Sequence, residues 1–117
     1  MKLGQESVQL ITVFDWVRWN KLDSFIWHIA NERRTTPQAG SLLKRMGVKA
    51  GVADIAVMKA AKGFHGMFIE LKTVTGVLSP KQKEFLHSMN ENGYLAKVAY
   101  SADEAIKTIQ EYLGIAS

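Results

Sequence analysis

The sequence predicts an α/β domain: a mixed sheet of about four strands with helices on its faces. Three observations lead there. Short runs of β-branched and aromatic residues alternate with longer segments of helical spacing along the 117 residues. Two of the helical segments open on a serine followed three residues later by Gln or Glu, the pattern of a capping box. Glycine and proline punctuate the boundaries, and no repeat, low-complexity tract or linker interrupts the pattern, so residues 1–117 read as a single domain.

"ESVQLITVFDWVRWN" (Glu6–Asn20) carries Val8, Leu10, Ile11, Phe14, Trp16 and Val17 and reads as the first helix. "FIWHIA" (Phe25–Ala30) reads as a strand. "TTPQAGSLLKRMG" offers Thr36 as N-cap, Pro37 at the first helical position and Gly47 just past the end, a short helix. "VADIAVMKA" and "FHGMFIELKTV" read as two strands joined as a hairpin through the glycine-containing, basic "AAKGFHG". "SPKQKEFLHSMNENG" has Ser79 as cap, Pro80 behind it and Gln82 closing the box, with Phe85, Leu86 and Met89 as its apolar face. "YLAKVAY" is a strand. "SADEAIKTIQEYLG" is capped by Ser101, with Glu104 closing its box and Ile106, Ile109, Tyr112 and Leu113 turned inward. The order is α-β-α-β-β-α-β-α.

Composition narrows the function. There is no cysteine, which excludes a disulfide framework and a thiolate zinc site. His28, His65 and His87 are too scattered for a metal-ligand pattern. No apolar stretch approaches the roughly 20 residues of a membrane-spanning helix. No signal-peptide pattern is visible either, so a cytoplasmic, intracellular protein without a membrane partner is expected. The net charge of +4 is unevenly placed, with eleven Lys/Arg against five Asp/Glu between Asn31 and Lys97. A basic middle suits a polyanionic partner, above all nucleic acid, and equally a solvated lysine-rich surface.

Chemistry concentrates in "IELK". Residues two apart on a strand share a face, so Glu70 and Lys72 point one way while Ile69 and Leu71 point to the core. Charges in a mostly apolar strand are costly unless they are paired or bind a metal. Asp54 begins the partner strand, and hairpin pairing can bring it beside Glu70. Two carboxylates on adjacent strands suit a hard divalent cation. A lysine beside them can orient a water and stabilise charge on a phosphate. A cross-strand salt bridge, Glu70–Lys72 or Asp54–Lys72, accounts for the same residues.

Taken together, "GVADIAV" and "FIELKTVTGVLSPKQKEF" resemble the virus-type replication-repair nuclease domain (VRR-NUC) of the PD-(D/E)XK nuclease superfamily, over roughly Gly47 to Lys97. The resemblance implies a restriction-endonuclease-like core in which Asp54, Glu70 and Lys72 form a metal-dependent catalytic centre and Gln82 stands at the family's characteristic glutamine. It implies Mg²⁺ or Mn²⁺ held by Asp54, Glu70 and the Leu71 carbonyl. The superfamily often adds an acidic residue from the first helix, for which Glu6 is the candidate, with Gln9 one turn on. Glu6 serves equally as a favourable charge near a helix N-terminus. Small stand-alone relatives of phage type act as homodimers on branched DNA, particularly four-way (Holliday) junctions.

Around this centre, Lys81 and Lys83 in the first turn of the Ser79 helix make a candidate DNA-backbone clamp, or ordinary surface lysines. Arg33, Arg34, Lys44, Arg45 and Lys49 would ring the site and bind phosphate without reading sequence. Gly47 and Gly51 admit a close duplex or simply serve turns. Trp16, Trp19 and Trp27 read as core or dimer contacts. The leading expectation is a divalent-metal-dependent endonuclease acting on branched DNA. The alternatives are a non-catalytic DNA-binding module on the same fold, and a nuclease acting on flaps, plain duplex or RNA.

Overall fold

A computed structural model describes residues 4–30 and 36–116. The predicted element order is the observed one: α1 (Gln5–Trp19), β1 (Ile26–His28), α2 (Pro37–Arg45), β2 (Ile55–Val57), β3 (Met67–Leu71), α3 (Pro80–Glu91), β4 (Leu95–Ala99) and α4 (Ala102–Leu113). The strands form one mixed sheet in the order β1-β2-β3-β4. β1 and β2 pair antiparallel, as do β2 and β3, and β4 joins β3 in parallel through the α3 crossover.

The strands are shorter than their apolar runs. β1 and β2 have three residues each, and their pairing continues at both ends in the Ile29 N–H to Asp54 O and Met58 N–H to Phe25 O bonds. The core lies on one face of the sheet. Val13 and Val17 of α1 and Ala105, Ile109 and Tyr112 of α4 close over Ile55, Val57, Met67, Ile69 and Leu71. Burying one such branched side chain contributes about 1.5–3 kcal/mol, so this face holds most of the stability. The opposite face is covered by α3, where Phe85 meets Phe68 edge-to-face at 5.3 Å. Asn90 anchors α3 to the outer strand. Its amide bonds both Ala96 O, at 3.2 Å, and Ala96 N, at 3.0 Å, and so occupies part of the β4 edge.

Helix caps follow the sequence with one exception: at α4 only the Ser101 half of the expected capping box forms, and the Glu104 side chain does not close it. Thr36 Oγ1 accepts from Ala39 N–H, and Ser79 and Gln82 form the complete capping box. At α4, Ser101 Oγ accepts from Glu104 N–H, and the next free donor, Ala102 N–H, is taken by Gln9 Oε1 of α1. Gln9 thus ties α1 to α4. α2 stands apart, with none of its residues buried.

Two expectations change. Trp16 packs against the core, but Trp19 is 87% and Trp27 47% exposed, so neither is a core residue. Trp19 falls on the last position of α1, beyond the apolar stripe that Val13 and Val17 direct inward. Gly51 does more than turn the chain. It has φ +87°, and a Cβ there would lie 2.6 Å from both the carbonyl carbon and oxygen of Lys81. The missing side chain lets the loop before Asp54 press against the start of α3. Among the described residues, no helix is long and apolar enough to cross a membrane.

Candidate active site

β2 and β3 pair with Ile55 opposite Ile69, and one further step along this register sets Asp54 opposite Glu70. The two carboxylates therefore meet at the end of the hairpin, as the spacing in sequence suggests. Both are buried: Asp54 is 9% exposed and Glu70 2%, the only charged residues of the described core. Asp54 Oδ2 accepts from Leu71 N–H at 2.8 Å. The N–H and C=O of a strand residue face the same neighbour, so the Leu71 carbonyl turns toward Asp54 as well.

Glu70 lies on the α3 face of the sheet, beside Phe68 and under the N-terminus of that helix. Its Oε2 accepts from Gln82 Nε2 at 3.1 Å, and Lys72 Nζ stands 3.5 Å from the same oxygen. The Lys72 side chain is 18% exposed, the partly open side of the cluster. Gln82 has a double function. Its Oε1 accepts from Ser79 N–H at 2.8 Å, closing the capping box, while its Nε2 reaches Glu70. The cap leaves the amide only one orientation, with its donor end on the carboxylate.

Burial first and the Asp54 charge second push the Glu70 carboxyl up from its ordinary 4.5 to about 8, against the opposing pull of Lys72. With Lys72 as its neighbouring cation, the pair holds its proton at neutral pH. A divalent cation would reverse that preference by favouring two ionised carboxylates. The donors fit such an ion: all are hard oxygens from two carboxylates and one main-chain carbonyl. Among the described residues, no group of three or more His, Cys, Asp or Glu forms. Glu6 is exposed in the first turn of α1 and does not join Asp54 and Glu70 in such a group.

His28 is a residue that sequence reasoning misses. Its Nδ1 lies 2.7 Å from the Asp54 carbonyl oxygen, which also accepts from Ile29 N–H at 2.8 Å. A carbonyl oxygen only accepts, so Nδ1 carries the proton. The two bonds fix the backbone at Asp54. In the sequence His28 is merely one residue of an aromatic strand.

The basic residues divide. Lys81 and Lys83 are exposed in the first turn of α3, next to Gln82. Lys49 shares with Lys81 a groove of about 170 Å³ floored by Phe85 and Met89. Lys44 and Arg45 are exposed in the last turn of α2. Arg33 and Arg34 lie outside the described residues. His65 is an exposed turn residue, edge-on to Tyr94 at 5.6 Å.

The VRR-NUC domain model matches residues 6–103 of the chain. A solved structure described as a VRR_NUC domain protein is 32% identical, covers 100% of this chain and 94% of its own, and superposes with a TM-score of 0.82. A comparison with curated proteins finds no match. The family model and the solved structure agree on a nuclease-fold domain that processes DNA, and the chain belongs to the VRR-NUC family.

Proposed function

We propose that the protein is a divalent-metal-dependent endonuclease that hydrolyses DNA phosphodiester bonds, with branched DNA such as four-way junctions as its substrate and a homodimer as its working form. One observation supports the reading above others. Two buried carboxylates on adjacent strands share a site with Lys72, 3.5 Å from Glu70. Lys72 alone is one cation for two buried acids, so one of the acids stays protonated at neutral pH, whereas a divalent cation would let both ionise.

In this reading Asp54, Glu70 and the Leu71 carbonyl hold Mg²⁺ or Mn²⁺, which when bound polarises the scissile phosphate and makes water more acidic. The remaining work belongs to side chains. Lys72 Nζ orients the attacking water and donates toward the charge that grows on the phosphate. Gln82 Nε2 holds Glu70 in place through its 3.1 Å bond, and the α3 cap holds Gln82. His28 and Ile29 hold the Asp54 backbone. Lys81 and Lys83, with the N-terminal dipole of α3, bind a flanking phosphate. Lys49 extends that contact, and Arg33, Arg34, Lys44 and Arg45 make further phosphate contacts.

A single domain carries one such centre, so paired cuts across a four-way junction require two copies about a two-fold axis. The test is cleavage of labelled junction, flap and linear duplex in Mg²⁺, Mn²⁺ or EDTA, beside Lys72→Ala. Symmetric junction cuts that need metal and vanish in Lys72→Ala are expected. Preference for flap or duplex removes the junction assignment and leaves the nuclease. Binding without any cleavage in either metal removes the enzyme.

A further inference from the structure

Immediately after Lys72 the chain makes a turn that the catalytic reading does not use. Gly76 N–H donates to Thr73 O at 2.9 Å, which closes a β-turn with Val74 at its outer corner. Val74 is 85% and Val77 81% exposed. The turn is braced on the catalytic lysine: a Cβ at Gly76 would stand 3.3 Å from Lys72 Cδ. Val74 in the turn and Val77 just after it make an exposed apolar feature next to Lys72.

Behind the turn lies a groove of about 550 Å³ between the turn, the N-terminal end of α1 and the end of β4. Lys72 N–H donates to Ala99 O at 2.8 Å, which sets Tyr100 directly beside Lys72 and Thr73. Tyr100 is 43% exposed and lines the groove together with Gln5, Thr73 and Thr75. Among the described residues, no charged side chain lines it. Every other candidate contact with nucleic acid in this protein is cationic. A neutral groove with an aromatic face, an amide and hydroxyls suits a nucleobase and not a phosphate. Its volume falls within the roughly 300–1,000 Å³ that small ligands occupy. Thr73 follows Lys72 by one Cα step, about 3.8 Å, so a base held here belongs to a nucleotide next to the phosphate at Lys72.

Building on the nuclease reading above, we propose that this groove takes a single unpaired nucleotide adjacent to the scissile phosphate. Its base stacks on Tyr100, and Val74 occupies the space it leaves in the helix. Apolar side chains inserted at a base step unstack it, and the cost is least where pairing is already interrupted. The groove thereby selects nucleic acid that offers an unpaired nucleotide at the cut, as forks and flaps do, over continuous duplex.

The test uses forked duplexes carrying 5-iododeoxyuridine at each of the unpaired positions nearest the branch in turn. They are bound in EDTA, irradiated and mapped by peptide mass spectrometry. A cross-link to Tyr100 from one position is expected. Tyr100→Ala and Val74→Ser should each weaken fork binding about tenfold and leave duplex binding unchanged, while Tyr100→Phe retains fork affinity. Both side chains are well exposed, and melting curves check that the variants fold. Cross-links only outside the groove, or variants that bind fork and duplex like wild type, overturn the proposal. So does a concentration-dependent dimer lost in Tyr100→Ala without a cross-link, since a second copy then fills the groove. A Tyr100 cross-link with no cleavage in Mg²⁺ or Mn²⁺ leaves the groove and removes the nuclease. Cleavage without the cross-link does the reverse.

Discussion

Glu70→Gln separates what this residue costs the fold from what it supplies to catalysis. In the metal-free protein the Glu70 carboxyl is raised from 4.5 to about 8, by burial first and by Asp54 second. Between those two pH values the folded state holds a proton that the unfolded chain has released. Wild-type stability must therefore fall as pH rises from about 5 to about 8, and level off on either side. A tenfold difference in proton affinity between the folded and unfolded chain is worth about 1.4 kcal/mol, so the loss is on the order of a few kcal/mol. For a domain of this size that is roughly 10 °C of melting temperature. Glutamine keeps the acceptor that Gln82 Nε2 needs and never ionises. Thermal melts in EDTA should give a flatter pH profile for Glu70→Gln, with a melting temperature above wild type at about pH 8 and close to it at about pH 5. Adding Mg²⁺ or Mn²⁺ should stabilise wild type more at the higher pH, because the ion binds the ionised carboxylates, and should leave Glu70→Gln unmoved. Cleavage by the variant should be lost. A wild-type melting temperature flat across this range in EDTA, or a variant that falls with pH alongside it, would refute the account of a strained buried acid pair.

Gln82→Ala removes the capping acceptor and the Glu70 bond together, and denaturant unfolding should show a loss of about 1 kcal/mol from the cap. Gln82→Glu keeps the cap but sets a second carboxylate against Glu70 where a 3.1 Å bond now stands; its unfolding midpoint should stay nearer wild type while the cleavage rate falls sharply. Gly51→Ala should cost about 1–3 kcal/mol more than Gly47→Ala, as read from denaturant unfolding of the two variants. Both glycines have positive φ, but only at Gly51 does the new Cβ meet the Lys81 carbonyl, whereas Gly47 has nothing within 4 Å. Lys81→Ala and Lys83→Ala should each lower the slope of log affinity against log salt by about one, measured by fluorescence anisotropy on labelled duplex and fork alike, if each lysine contacts one phosphate.

Local signals carried the element order, because caps and periodicity act within a turn or a strand. Ser79, Pro80 and Gln82 specify the start of α3 from four consecutive residues, and Thr36 and Pro37 do the same for α2. The Asp54–Glu70 pairing was legible for a related reason: a hairpin's register follows from its alternation, and a slip of one residue would turn Glu70 into the core. Other features depend on which distant segments meet, and no periodicity encodes that. Gln9 looks like a companion to Glu6 until α1 crosses α4 and its amide caps Ala102, 93 residues away. Gly51 looks like a turn residue until α3 arrives 2.6 Å from its missing Cβ. His28 gains a function from the strand beside it, and Tyr100 lines a groove that forms only once β4 and α1 flank the turn after Lys72. Short-range hydrogen bonding and side-chain alternation are written residue by residue along the chain. Close approach between segments is set by how whole faces pack, so it becomes visible only in the folded molecule.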